Sequence, residues 1–292
     1  MFHRLCSLPL LRYVSLKRTT YIGLILLALS NSLVAHPESE VAIAELTQWI
    51  ARHPRQPSLY FSRSQHFIDH ERWTEAEKDL LQVEALAAAH PGMSLSFSRL
   101  YLATGRLVEA RHRIDQARRD DPRDPTVMII SGRIHAQMGQ AVEAAADFSR
   151  AIELLPEPRP ELYLERAALP LPTPEALRGL NEGIERIGPA LALVERAIAL
   201  ECSLGQTDAA LARLDTLIQS SSRQEFGWKR RGDLLRSIGR TDEAHANYLR
   251  ARLELSRQPV WLQQTSDAQS LAAELKRALS ATDGSTPPQV SP

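Results

Sequence analysis

Little in this 292-residue chain favours extended structure or surface chemistry. Aromatic residues make up 5%, and Val and Ile together number 25, too few to supply a sheet-rich core. There are 2 cysteines. Cys6 lies near the start, so Cys202 stands alone in the rest of the chain, which excludes an intramolecular disulfide there and every Cys-x-x-Cys metal or redox pattern. Lys plus Arg is 35 and Asp plus Glu is 35, so the basic excess of a nucleic-acid binder is missing. No Gly-x-Gly-x-x-Gly, no Gly-x-x-x-x-Gly-Lys-Ser/Thr and no Gly-x-Ser-x-Gly occurs. No cofactor is implied.

What is present is Ala and Leu, which alone exceed a quarter of the residues. The composition reads as a helical, soluble body. The neutral total hides an asymmetry: residues 1–35 hold Arg4, Arg12, Lys17 and Arg18 and no acid. The remainder has 35 − 4 = 31 basic against 35 acidic residues, a formal net of −4. After the basic stretch comes the apolar run Tyr21–Leu29, then Ser30, Asn31, Ser32, Leu33, Val34 and Ala35. A charged start, a short apolar core and small residues form the layout of an export signal, with a cut expected after Ala35 or Ser32. The run falls short of the ~20 residues of a comfortable span. Retention as a tilted signal-anchor over Thr19–Ala35 is the alternative.

The informative pattern is self-similarity. GRLVEA ends at Ala110, GQAVEA at Ala144, GQTDAA at Ala210 and GRTDEA at Ala244; each of the two steps is 34 residues. One period upstream of Ala110 lies Ala76, and a degenerate copy ends at Ala176. Twelve residues before the alanine stand Ser64, Ser98, Gly132 and Gly232. Four residues after it come Leu80, Ile114, Phe148, Leu180, Leu214 and Tyr248. Apolar spacing inside each unit is helical and is interrupted by a polar, Gly-containing turn, so each unit reads as two helices joined tightly. The small residues mark close helix crossings and the bulky ones fill the space beside them.

These residues resemble the tetratricopeptide repeat family, in an exported, bacterial-type version. The sixth copy carries it through Trp228, Gly232, Ala244, Tyr248 and Ala251, and the third through Gly132, Ala144, Phe148, Ala151 and Pro156. The resemblance spans residues 57–257 and implies an all-α, right-handed superhelical solenoid of about six helix-turn-helix repeats. It also implies a concave groove lined by the first helices, which holds a protein or peptide.

The fourth copy departs from the pattern over residues 160–190. Pro170, Pro172 and Pro174 must end its first helix, because proline lacks the amide donor and clashes with the preceding turn. The expected layout is a signal over 1–35, a capping helix within 36–56, the array over 57–257, a second capping helix within 258–281, expected as one helix over Val260–Leu279, and a polar tail over 282–292.

Candidate chemistry is sparse. His66 and His70 lie four apart on a helix, a spacing that suits two zinc ligands, but no third ligand is indicated. Glu75, Glu77, Asp120 and Asp121 read as solvated acids. Trp49, Trp73, Trp228 and Trp261, one per helix, read as core, and Cys202 as a small buried residue. The reading is a non-catalytic exported scaffold, in the periplasm or secreted. The alternatives are an assembly factor held at the inner membrane by an uncleaved N-terminal segment, or a metal-dependent enzyme on a repeat frame. Counting from the repeat register, the partner-binding face carries Phe61, Gln65, Asp69, Arg99, Arg133 and Gln137, then Glu195, Lys229, Asp233 and Arg236. Arg99 and Arg133 occupy one position in consecutive repeats, and the family resemblance implies a partner with an acidic segment or a C-terminal carboxylate.

Overall fold

The computed structural model describes residues 37–87 and 89–283; the expected signal segment and most of the tail lie outside them. The described residues form fifteen helices and no strand. A leading helix, α1 (Pro37–Arg52), precedes six pairs. These are α2 (Pro57–Asp69) with α3 (Trp73–Leu86), α4 (Met93–Ala103) with α5 (Leu107–Asp120), and α6 (Pro125–Gln137) with α7 (Ala141–Leu154). Then come α8 (Pro160–Ala167) with α9 (Thr173–Ile187), α10 (Leu191–Ser203) with α11 (Thr207–Ser220), and α12 (Gln224–Ser237) with α13 (Thr241–Arg257). A single turn, α14 (Val260–Gln263), and a last helix, α15 (Ser266–Asp283), follow. The chain divides into two compact units at Leu154/Leu155, three pairs in each, ahead of the proline cluster.

The pairs close where the sequence placed their crossings. A Cβ built on Gly132 would stand 2.9 Å from the Phe148 ring, and one on Gly232 would stand 2.6 Å from the Tyr248 ring. Ser64 and Ser98 hold the same place and are fully buried. Each small residue therefore lets a bulky side chain, sixteen residues later on the second helix, press against the first. In the fourth pair the tightest contact has its sense reversed: Gly183 on α9 faces the Tyr163 ring on α8, at 2.8 Å from a notional Cβ. That pair is also the irregular one. Pro172 precedes α9 with extended backbone, Pro174 sits in its first turn, and α8 is left with eight residues.

The turns inside the pairs repeat as well. Gly105, Gly139, Gly205 and Gly239 have φ between 72° and 82°, which a residue without Cβ adopts freely. The first pair has Glu71 in that slot, held at φ 57°. It is the described non-glycine residue in a left-handed conformation.

Stacking within the first unit uses charge. Arg106 holds Glu77 in a fork at 2.8 and 2.9 Å, and Arg113 holds Glu84 at 2.7 and 3.1 Å. Arg118 reaches Asp147 at 2.8 Å. Each contact joins residues 29 apart, one second helix or its leading turn to the next. Glu77, expected as a solvated acid, is therefore a stacking contact, because the repeat brings the turn of the next pair over it.

Three other expectations are corrected by the packing. Cys202 is exposed. Its neighbour Glu201 turns inward instead, 3% exposed, and is met by Arg213 Nε at 2.7 Å. Trp49 and Trp261 are 50% and 69% exposed, so only Trp73 and Trp228 pack against the cores. The helix expected over Val260–Leu279 is broken at residues 264 and 265: the Gln263 side chain folds back onto the Gln258 carbonyl at 2.7 Å. Coverage of the last pair comes from α15 alone, through Ala268, Leu271, Leu275, Ala278 and Leu279.

Two stability measurements check this account. Gly132→Leu should overpack the Phe148 contact and lower stability by ~1–3 kcal/mol in urea unfolding; an unchanged midpoint would mean the crossing is not close. Glu71→Gly should raise stability by ~0.5–1 kcal/mol, because the left-handed cost of a side chain exceeds the entropy cost of glycine.

Candidate functional site

A helix shows one face through residues spaced i, i+4 and i+7 or i+8. On the first helices of the first unit that face carries Phe61, Gln65 and Asp69 on α2, Leu95, Arg99 and Leu102 on α4, and Ile129, Arg133 and Gln137 on α6. Phe61, Leu95, Leu102 and Ile129 are half-buried, seated on the core with part of each side chain in water. The polar residues stand between them, so the face is an apolar strip interleaved with amides and charges. Leu95, Leu102 and Ile129 were not among the residues expected to bind. Their signal was the same register that singled out Arg99 and Arg133, read three or four residues to either side.

The polar members differ in how firmly they are held. Gln65 donates from Nε2 to Ser96 Oγ at 3.0 Å, which ties α2 to α4. Phe61 is shielded on one side, its ring centroid 4.5 Å from that of His90 and its edge close to Gly92. Arg99 donates to Asp69 Oδ1 at 3.2 Å, with side chains 37% and 60% exposed. An exposed pair of that kind contributes ~0–1 kcal/mol, little more than its hydration returns on opening. By contrast Arg63 grips Asp79 with two bonds of 2.7 Å, the carboxylate only 3% exposed. The Arg63 fork is a structural clasp between α2 and α3; the single Arg99 bond is exchangeable. Arg133 and Gln137 are exposed on α6.

In the second unit the corresponding residues are already engaged. Glu195 on α10 pairs with the Arg230 guanidinium on α12. Lys229 binds Asp233 at 2.9 Å and Glu274 of α15 at 2.7 Å. Burial alone would lower the Lys229 ammonium pKa, but the Glu274 and Asp233 carboxylates outweigh it and raise it. Asp233 also accepts from the Tyr248 hydroxyl at 2.9 Å, and burial followed by that carboxylate pushes the Tyr248 pKa well up. Arg236 lies exposed beside the Tyr248 ring. A cleft of about 240 Å³ remains among Lys229, Asp233, Arg236, Glu274, Arg277 and Ala278. The terminal helix thus takes up charges that the register alone assigned to a partner.

Reactive arrangements are locked. Asp147 Oδ2 accepts from Ser131 Oγ at 2.6 Å and from His135 Nδ1 at 2.7 Å, while Arg118 binds Oδ1. The carboxylate stands between Ser and His, so the imidazole has no hydroxyl to deprotonate, and all three residues are buried. Partial desolvation, then Glu201, push the Cys202 thiol pKa up, opposite to an activated nucleophile. Among the described residues no group of three or more His, Cys, Asp and Glu side chains is placed to hold a metal, His66 and His70 included.

Comparison with known proteins agrees with this architecture. The family model described as tetratricopeptide repeat matches residues 27–94 and 95–157. A crystal structure of a tetratricopeptide repeat protein from Parabacteroides merdae is similar, with 16% identity, 88% of this chain and 97% of that chain covered, and a TM-score of 0.50. The structure of pilF from Pseudomonas aeruginosa has 13% identity, covers 77% of this chain and 99% of that chain, and has a TM-score of 0.49. Two further matches are to longer chains, of which this chain spans 46% and 39%. At these identities the likeness is one of fold. No curated protein matches the sequence.

The contrast between clasp and exchangeable pair is measurable. Asp79→Ala should cost about 3 kcal/mol, since it leaves the largely shielded Arg63 guanidinium without its carboxylate and with only the Thr47 hydroxyl as a hydrogen-bond partner. Asp69→Ala should cost less than about 0.5 kcal/mol. Equal losses in urea unfolding would remove the distinction.

Proposed function

We propose that this chain, which matches the tetratricopeptide repeat model over residues 27–157, is a non-catalytic scaffold that holds a peptide or protein partner on the first-helix face of its first unit. The observation that carries the reading is the half-exposed strip Phe61, Leu95, Leu102 and Ile129, interleaved with Gln65, Asp69, Arg99, Arg133 and Gln137. Apolar side chains stopped halfway into a core leave surface whose burial yields ~25 cal/mol per Å² when a partner covers it. The interleaved guanidiniums select what that partner carries. Arg99 gives up a weak, exposed pair with Asp69 when a better carboxylate arrives, and a planar fork suits a carboxylate in two-point contact. The partner therefore brings apolar side chains next to an acidic segment or a C-terminal carboxylate. In the second unit Glu195, Lys229 and Asp233 serve the fold, through Arg230, Glu274 and Tyr248. Arg236 there is the residue left to face solvent.

The place of action follows from residues 1–35, with four basic residues, no acid and the apolar run Tyr21–Leu29. We place the protein outside the cytoplasm, in the periplasm or secreted, with retention of the segment as an inner-membrane tether as the second form. None of the described helices is long and apolar enough to cross a membrane.

The double variant Arg99→Glu, Arg133→Glu, shown by circular dichroism to keep its helices, should lose at least about tenfold in capture of an acidic partner, and the natural protein's capture should weaken as salt rises. Leu102→Asp should weaken capture of the same partner through the apolar strip. Full capture by the arginine variant removes the carboxylate preference, and full capture by both removes this face as the binding site.

A further inference from the structure

The outer side of α13 departs from a pattern that the four second helices before it keep. In those helices the two repeat positions that correspond to Leu249 and Leu253 are polar or charged throughout, from Asp115 and Arg119 on α5 to Asp215 and Gln219 on α11. A helix side turned away from its packing partner meets water and carries such residues. On α13 both positions are leucine, 38% and 42% exposed. The first pair shares the departure through Leu81 and Ala85.

The two leucines belong to a stripe. Asp242, Ala246, Leu249, Leu253 and Ser256 follow at steps of four, three, four and three, the spacing of a seam between two paired helices, and all five are exposed. On the opposite side Ala244, Tyr248 and Ala251 are sealed in the core, so the seam points away from the helices of its own chain. Its charge is graded along the axis. Asp242 stands in the first turn and has no ion pair among the described residues. Arg257 stands in the last turn and keeps one exposed bond, to Glu254 at 3.1 Å. Bare apolar side chains lie beyond both ends, Ile238 before the helix and Val260 and Trp261 after it. The return of the Gln263 side chain to the Gln258 carbonyl holds the latter two at that end.

We propose that this seam is the contact between two copies of the chain, paired antiparallel about a two-fold axis at Leu249. Two-fold pairing lets one patch serve both copies. Leu249 then meets its own counterpart, and Ala246 meets the partner's Leu253, the same match of small against large that closes the pairs inside the chain. Asp242 meets the partner's Arg257, and symmetry makes that contact twice. Ile238 falls at the end that carries the partner's Val260 and Trp261. Parallel pairing would set Asp242 against Asp242 and Arg257 against Arg257. An anionic membrane surface would be repelled by the acidic end, whereas a second copy satisfies both ends and the leucines between them. A contact built on one helix of 17 residues, about 25 Å long, lies at the small end of protein interfaces, so the pair is weak. The proposal uses the last pair alone and does not depend on the partner-binding reading.

Sedimentation equilibrium of the full chain should show the mass rising from one chain towards two between about 1 and 100 μM. Leu249→Asp with Leu253→Asp, its helices intact by circular dichroism, should stay monomeric across that range. Asp242→Arg alone and Arg257→Asp alone should each weaken pairing about tenfold. Their equimolar mixture should pair as the natural protein does, because both contacts of the mixed pair join arginine to aspartate. With Cys6 and Cys202 replaced by Ser, Leu249→Cys should link one copy to another on mild oxidation, and Glu185→Cys, exposed on the same side of α9, should not. Monomers throughout, pairing that ignores the leucine substitutions, a mixture no tighter than its components, or no link at 249 each overturn the proposal. Capture of an acidic partner by the first unit, or its loss in the arginine variant, leaves all of these outcomes untouched.

Discussion

The structure depends on one steric condition, met in every pair but the fifth, where Ile198 and Leu214 share a core cluster: where two helices cross closely, only one of them carries a large side chain. Gly132 against Phe148 and Gly232 against Tyr248 meet it with almost no clearance, since a single added carbon would stand 2.9 or 2.6 Å from the ring. Overpacking of such a contact costs ~1–3 kcal/mol, a sizeable share of the stability of a domain. Each ring then contributes its full buried area to the core, which Phe148 and Tyr248 do at 1% and 0% exposure. Where the condition is met with the sense exchanged, as for Gly183 and Tyr163, the pair is also the one with the shortened first helix. Close crossing fixes the angle within a pair, and the angle decides which residues are left on the outer face of the first helix.

A second layer of specificity lies in the order of the pairs. Apolar cores alone would let similar repeats stack in any sequence. At the first junction Glu84 meets Arg113, and at the second Arg118 meets Asp147, so the same two slots carry acid then base in one case and base then acid in the other. Stacking the first pair directly on the third would set Glu84 against Asp147, two like charges. The forks at Arg106 and Arg113 add geometry to sign, because a bidentate guanidinium accepts a carboxylate in one plane. The same reasoning separates structure from site among the arginines. Those with two short bonds to a shielded acid, such as Arg63, are spent on the fold, whereas Arg99 keeps one long bond to an exposed acid and can change partners.

The two units differ in what remains on offer. In the first unit, half-exposed Leu95, Leu102 and Ile129 sit beside the exposed Arg99–Asp69 pair. In the second, α15 reaches Lys229 with Glu274 and seals the last pair with five apolar side chains. A helix that closes an array against water also takes up polar groups near the end of the face, as Glu274 does with Lys229, while Arg236, on α12 with Lys229, stays exposed.

The sequence by itself determined the repeat: the 34-residue step, the helix-turn-helix unit, the crossing residues, the glycine turns and the break at Pro170, Pro172 and Pro174. It could do so because helix periodicity and close crossing are local or near-local conditions, written within 34 residues and repeated. Only the tertiary structure decided which charges are clasped and which are exchangeable, since Arg63 and Arg99 look alike until the depth of Asp79 and the exposure of Asp69 are known. It also decided that Glu201 and not Cys202 turns inward, that Trp49 and Trp261 face water, and that Glu274 lands on Lys229. Those outcomes depend on which surfaces a neighbouring helix covers, and that follows from stacking across tens of residues, not from the spacing inside any one repeat.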